Sequence, residues 1–180
     1  AQEAFSSQDA HQDLSRELAD AAETWTPYGK LIKHIPFELV DGKTNFQWPV
    51  ICPFAILWFL CKLHPGFASF LHHCILAGIG SLVLYSDGTT PGNNVVGWRQ
   101  REVMVWYWTL LEFPQWFRAR SVIGWIPFGY MRVSTQHEVA GDISGVVRRV
   151  LRSFFSEDSF NFADGVRLPD GTTHKLSFKG

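Results

Sequence analysis

The sequence is poor in cysteine, in charged residues and in repetition. It has three cysteines, and only 18% of its 180 residues are charged. Cys52, Cys61 and Cys74 lie in apolar runs and three thiols cannot all pair, so we exclude a disulfide-rich scaffold and expect buried thiols in a reducing compartment. Repeats and low-complexity tracts are absent, while 46% of the residues are hydrophobic and 15% are aromatic. This composition excludes a disordered chain and predicts one globular domain with a sizeable core.

No apolar run is long enough to make a clear transmembrane helix. A membrane span needs about 20 consecutive apolar residues. The most apolar part of the sequence, residues 48–85, is interrupted by Lys62 and by the pair His72 and His73. We expect two buried core helices there instead, over Pro53–Leu63 and Phe67–Leu76. A membrane-associated protein that uses residues 48–85 stays open as an alternative.

Negative charge is concentrated at the start of the sequence and arginine in its second half. Residues 1–25 carry six acids against Arg16 alone, whereas residues 99–152 carry eight arginines and no lysine. The sequence begins at Ala1 rather than at Met, so we expect part of a longer protein. We divide it into an acidic mobile arm over residues 1–30, an apolar and mainly helical region over residues 31–80, and a third unit over residues 81–180.

The third unit has the pattern of successive strands followed by a helix. Apolar runs predict strands over Leu82–Ser86 and Val103–Leu111, and Ile123–Val133 predicts a third, edge or bulged strand because its glycines and proline weaken a regular ladder. Residues Asp142–Phe155 have the period of an amphipathic helix. Hairpin turns are indicated by Asp41-Gly42 and by Asp170-Gly171. The fold class that follows is α+β or α/β.

Asp87 is the most informative single residue, because it follows an apolar strand directly. Carboxylates at the end of a rigid strand hold Mg²⁺ or Mn²⁺ in metal-dependent phosphoryl-transfer enzymes. We therefore take Asp87 as a candidate catalytic and metal-binding residue. Glu102, across the hairpin, is a candidate second metal ligand, although an acid so near Arg101 also suits an ion pair, and Glu112 is a weaker candidate. An ordinary hairpin loop is the alternative for the Asp87 segment, since Asp and Gly favour turns.

The predicted helix over Asp142–Phe155 carries three arginines on its polar side. The planar guanidinium group of arginine suits phosphate, so Arg148, Arg149 and Arg152 are candidate nucleic-acid-binding residues. The alternative is a solvated helix face. Four tryptophans in this half are also able to stack on bases, but we expect them in the core. They are Trp106, Trp108, Trp116 and Trp125.

A group of cysteines and histidines raises the question of structural zinc. It comprises Cys61, His64, His72, His73 and Cys74. The spacings match none of the usual paired-ligand patterns, and Pro65-Gly66 interrupts the segment. We therefore favour core thiols and surface histidines over zinc.

Three segments together resemble a known group of proteins. They are Leu82–Asn93, Tyr107–Pro114 and Trp116–Arg120. They resemble the transposon-derived proteins of dinoflagellate genomes, which are similar, more distantly, to RNase H-like DDE transposases of the Plavaka type. The resemblance covers about Leu82 to Phe155, less than half of the chain.

The resemblance implies a fold and a chemistry. It implies a partial RNase H-like core, with three successive antiparallel strands and then an amphipathic helix, preceded by an α-helical region. It also implies an intracellular, nuclear protein whose longer parent cleaves and transfers DNA strands with Mg²⁺ or Mn²⁺ at Asp87. The remaining acids would lie beyond Gly180, so we expect this part to be inactive, to bind DNA and to need no small-molecule cofactor. A non-catalytic DNA-binding or scaffold remnant is the alternative.

Overall fold

The computed structural model describes residues 20, 23–42, 45–76, 78–90, 102–120, 124–155 and 160–178. Most of the predicted acidic arm, residues 1–19 and 21–22, and the connection 91–101 lie outside the described residues. The strands are β1 (Trp25–Thr26), β2 (Gly29–Lys30), β3 (Ile32–Glu38), β4 (Asn45–Ile51), β5 (Ile79–Thr89), β6 (Val103–Leu110), β7 (Ile126–Arg132), β8 (Val166–Arg167) and β9 (Thr173–Phe178). The helices are α1 (Pro53–Leu63), α2 (Pro65–Cys74), α3 (Gln115–Arg120), α4 (Val133–Glu138) and α5 (Asp142–Phe155).

The described end of the acidic arm is packed against the rest of the protein. Strands β1 and β2 form a tight antiparallel hairpin that Gly29 closes with a φ of 92°. Tyr28, in its turn, is buried, and its hydroxyl donates to the carbonyl of Arg167 at 2.9 Å while it accepts from the Arg167 N–H at 2.6 Å. Residues 23–30 are therefore fixed to β8 near the other end of the chain.

The hairpin predicted around Asp41-Gly42 is confirmed. Strands β3 and β4 pair in antiparallel register, and Gly42 adopts a φ of 63° that glycine tolerates without strain. Residues 31–80 therefore contain a two-stranded sheet as well as helices. Trp48 of β4 is fully buried and donates its indole N–H to the carbonyl of Tyr130 at 2.7 Å, which joins this hairpin to β7.

Two helices follow the hairpin, as expected. Helix α1 has the predicted bounds, with Pro53 in its first turn, where a missing N–H costs nothing. Helix α2 begins at Pro65 and ends at Cys74, two residues earlier at each end than predicted. Within the described residues no single helix meets the length and hydropathy of a membrane span, although α1 and α2, bent by 119°, pass when taken together.

A mixed sheet of five strands forms the centre of the protein, so the α+β class is confirmed. Its order is β7-β6-β5-β9-β8. The three successive antiparallel strands β5, β6 and β7 are confirmed, as is α5 over the predicted residues. Strand β7 is an edge strand whose pairing with β6 shifts register at Trp106 and Tyr107, as the glycines and proline indicated. After α5 the chain returns as β9, parallel to β5, with Leu82 beside Phe178.

One hydrophobic core joins all these elements. Helix α5 lies against the sheet through Val146, Val150 and Phe154, and the rings of Phe154 and Trp108 meet edge to face at 5.6 Å. The expectation that the tryptophans fill the core holds for Trp106 and Trp108, which are buried. It is wrong for Trp116, which is 61% exposed because it lies on the outer side of the short helix α3.

Candidate functional site

Asp87 lies inside β5 rather than at its end. The strand continues to Thr89, because Gly88 and Thr89 still pair with Met104 and Val103 of β6. Side chains alternate along a strand, so Asp87 projects to the same face as Tyr85 and to the face opposite Leu82 and Leu84. Leu82 and Leu84 belong to the core, so Asp87 lies on the outer face of the sheet, and it is exposed to solvent.

Tyr85 is the group most affected by Asp87. The negative charge of the Asp87 carboxylate raises the pKa of the Tyr85 hydroxyl, and burial and a side-chain hydrogen bond between the two groups raise it further. The hydroxyl of Tyr85 therefore stays protonated at neutral pH. Among the described residues no cationic side chain forms an ion pair with Asp87.

Glu102 is not brought next to Asp87. It precedes β6, and its backbone carbonyl accepts a hydrogen bond from the N–H of Val133 at 3.0 Å. Its carboxylate lies over Gly88, since a Cβ atom placed on that glycine would come within 2.9 Å of Oε1 of Glu102. Gly88 and Asp87 are neighbours in a strand, so their Cβ directions point to opposite faces. The two carboxylates are therefore separated by the sheet.

Glu112 has a structural role. Its carboxylate accepts a hydrogen bond from the backbone N–H of Ser81 at 2.8 Å, and Leu111 donates its N–H to the carbonyl of Ser81 at 2.9 Å. These two bonds fasten the start of β5 to the end of β6. In the described part of the chain, no three His, Cys, Asp or Glu residues are grouped so that they could hold a metal ion.

The two cysteines of the Cys/His group lie in surroundings that disfavour the thiolate form. Burial raises the pKa of the Cys61 thiol to about 12, and the charge of Asp170 adds to that effect. Burial also raises the pKa of Cys74. Nearby, His174 is buried on β9, with its ring 5.5 Å from that of His72. Metal binding would require the thiolate form, which this surrounding disfavours.

The three candidate arginines lie on the outer side of α5. Arg148 and Arg152 are exposed and Arg149 is half-buried. Beside them runs an open groove of about 630 Å³. It is lined by Ile143, Ser144, Val147, Arg148, Leu151, Arg152 and Phe155. No carboxylate in the described ranges forms an ion pair with these arginines, so their charges are available to an external anion.

A second cavity, of about 410 Å³, opens on the outer face of the sheet next to Asp87. Three aromatic residues line it: Tyr85, Tyr107 and Trp125. Sequence reasoning missed this group, because it assigned Trp125 to the core and took Tyr85 and Tyr107 as ordinary strand residues. The alternation of side chains along the strands was the available signal. Tyr85 projects to the same face as Asp87, and Tyr107 projects to the face opposite buried Trp106 and Trp108.

Comparison of the chain with protein-family profiles, with curated proteins and with solved structures found no match.

Proposed function

We propose that this chain is a DNA-binding, transposase-like unit with an RNase H-like strand order, which belongs to a longer protein that cleaves and transfers DNA strands. One observation carries the proposal. Three antiparallel strands, β5 to β7, are followed by the amphipathic helix α5 and then by β9, which returns beside the first of them in parallel. The RNase H-like pattern that the sequence resembles places further strands after such a helix, and β9 occupies that position.

The described residues do not fit a two-metal site by themselves. Asp87 and Glu102 lie on opposite faces of the sheet, and two-metal sites need several carboxylates close together. We therefore assign no cleavage step to the described residues. In the parent, Asp87 is the candidate carboxylate for Mg²⁺ or Mn²⁺, and the other acids would come from outside the described residues.

The β5–β9 register indicates where one such acid would belong. Leu82 lies beside Phe178, and the two strands run in the same direction. A residue that follows Phe178 by about five positions in the same strand would therefore lie level with Asp87. A carboxylate there is the most direct partner for Asp87 in a longer chain.

DNA contact is assigned to α5. Arg148, Arg149 and Arg152 lie along about one turn of helix, so they present several guanidinium groups to one stretch of phosphate backbone. Arginine binds phosphate through a fixed fork of N–H donors. The groove beside them is mostly apolar, so a protein scaffold contact is the second candidate function for the same face.

To test binding, we would titrate a fluorescently labelled DNA duplex with the chain and measure anisotropy at several salt concentrations. To test cleavage, we would incubate the same DNA and chain with Mg²⁺ or Mn²⁺ and analyse the DNA on a gel. We expect affinity to fall steeply with salt, because phosphate contacts release counterions. We also expect the DNA to remain intact. Failure to bind at low salt would overturn the proposal and leave the scaffold function.

A further inference from the structure

The outer face of the sheet brings three aromatic rings and one carboxylate together. Tyr85 and Asp87 are two positions apart on β5 and project to the same side. Tyr107 is the direct cross-strand partner of Tyr85. Trp125, just before β7, completes the group, with its ring centre 5.7 Å from that of Tyr85 and the planes inclined by 57°.

These rings form the wall of a cavity instead of filling the core. The cavity measures about 410 Å³ and lies on the opposite side of the sheet from the side chains that pack against α5. Tyr85 is 49% exposed, and Tyr107 and Trp125 are half-buried. The rings of Tyr85 and Trp125 touch each other, so a ligand in the cavity would meet the three rings from its open side and would not pass between those two. Aromatic faces carry negative electrostatic potential, so they attract cations.

The charge beside the cavity has the matching sign. Asp87 lies two positions from Tyr85 on the same face of β5, is exposed, and forms no ion pair with a cation of the described residues. A small metal ion suits this group poorly, because Mg²⁺ needs several oxygen ligands and here one carboxylate and one hydroxyl are available. A large, weakly hydrated organic cation gains from the rings and from the carboxylate together.

We propose that the cavity between Tyr85, Tyr107 and Trp125 binds a quaternary ammonium group, with the rings contacting its methyl groups and Asp87 supplying the counter-charge. This inference is independent of the DNA contact proposed for α5, which uses the opposite face of the protein, but it gives Asp87 a ligand other than the metal ion proposed for the parent. It follows from the alternation of side chains along β5 and β6, which places Tyr85, Asp87 and Tyr107 on one surface, and from the contact of Trp125 with Tyr85.

The test is calorimetric titration of the full chain with choline chloride, and with 3,3-dimethyl-1-butanol as the matched control. The control has the shape of choline but no charge. We expect choline to bind in the range of about 0.1–10 mM, and the neutral analogue to bind at least about tenfold more weakly, since the cation–π attraction is lost. Equal affinities for the two compounds would overturn the proposal, because the cavity would then be a hydrophobic site only.

Two variants of Tyr85 distinguish the contribution of its ring to choline binding from that of its hydroxyl. Tyr85→Phe keeps the ring, so we expect choline affinity within about threefold of the original. Tyr85→Leu removes the ring from a half-exposed position without endangering the core, and we expect affinity to fall by about tenfold. Equal affinity of the Phe and Leu variants would contradict the cage. The same titration with Asp87→Asn is expected to weaken choline by about threefold or more, as a loss of charge attraction.

The source of the ammonium group is identified by a second measurement. Sedimentation with phosphatidylcholine vesicles distinguishes a lipid headgroup from a soluble ligand. Co-sedimentation that Tyr85→Leu abolishes assigns the site to a choline headgroup, and binding of choline without co-sedimentation assigns it to a soluble compound. DNA affinity, measured in parallel, is expected to be the same for Tyr85→Leu and the original chain. A failure of choline binding is therefore distinguishable from a failure of DNA binding.

Discussion

Asp87 and Glu102, the two acids that the sequence offers as a metal pair, lie on opposite faces of the same sheet. The alternation of side chains along β5 is the reason, because the carboxylate of Glu102 lies over Gly88 on the face turned towards α5. Asp87, one residue earlier, must then project outwards. The two faces of the sheet therefore differ in character. The basic helix α5, suited to phosphate, covers one face, and an acidic and aromatic surface forms the other.

A single carboxylate is expected to have little influence on DNA binding. Mg²⁺ at millimolar concentration competes for the DNA phosphates, so it should weaken DNA binding of the original chain and of Asp87→Asn by the same factor within about twofold, because one exposed carboxylate holds Mg²⁺ weakly. Asp87→Asn should behave like the original chain in the same anisotropy titration. A specific gain of affinity with Mg²⁺ that Asp87→Asn abolishes would show that Asp87 acts in a metal site with other ligands.

Glu112 is expected to contribute to stability instead of chemistry. Glu112→Ala removes the carboxylate that accepts from the Ser81 N–H, so we expect the free energy of unfolding in urea to fall by about 1–3 kcal/mol. Glu112→Gln keeps an acceptor oxygen and should lose clearly less. Equal losses for the two variants would mean that the charge and not the hydrogen bond matters there.

The hydroxyl of Thr109 is expected to stabilise the segment that leads into the edge strand β7. It is fully buried and donates to the carbonyl of Gly124 at 2.6 Å. Thr109→Val conserves the shape and leaves that carbonyl without its partner, which costs about 1–3 kcal/mol. Thr109→Ser retains the donor and serves as the control. If urea denaturation gave Thr109→Val the same free energy of unfolding as the original chain, the role of this hydrogen bond would be contradicted.

His174 predicts a pH-dependent stability. Burial lowers the pKa of its ring, and the charge of His72 lowers it further. Both ring nitrogens are buried and have no hydrogen-bond partner among the described residues. The folded protein therefore favours the neutral ring, whereas the unfolded chain takes up a proton near its ordinary value of 6.5. The contribution of neutral His174 to the free energy of unfolding is therefore fully present above about pH 6.5. It is lost as the pH falls from 6.5 towards the lower pKa of the folded state.

Chemical denaturation at about pH 7.5 and about pH 5.5 checks the contribution of His174. The variant His174→Phe, which does not titrate, should lose less stability on acidification than the original chain. His73→Gln, which removes an exposed histidine from α2, is the matched control and should keep the original slope. An identical pH dependence of the original chain and His174→Phe would contradict the assignment.

Local signals predicted the helices and turns well. Helix α1 has the expected bounds because Pro53 and Pro65 mark both of its ends. Helix α5 was predicted to the residue, since its apolar period continues without a break from Asp142 to Phe155. The length of β5 was missed, because Gly88 has the appearance of a turn residue. Pairing with β6 keeps it in the strand, and this long-range contact is not visible in local sequence.

The candidate site was harder to predict, since it depends on register. The sequence identified Asp87 and the arginines of α5 by residue type alone. It did not show that Tyr85 faces Tyr107, because that pairing is set by the alignment of two strands separated by residues 90–102. The buried environment of His174 likewise results from β9 returning beside β5, which no local pattern in the sequence specifies.

If α5 binds the phosphate backbone of DNA, the salt dependence of binding must change when its arginines are removed. We would measure the slope of log affinity against log salt for the original chain, for the double variant Arg148→Gln with Arg152→Gln, and for Arg167→Gln as a control on β8. We expect the slope of the double variant to be smaller by about 2, one for each lost phosphate contact, while the control retains the original slope. Identical slopes for all three proteins would contradict the claim.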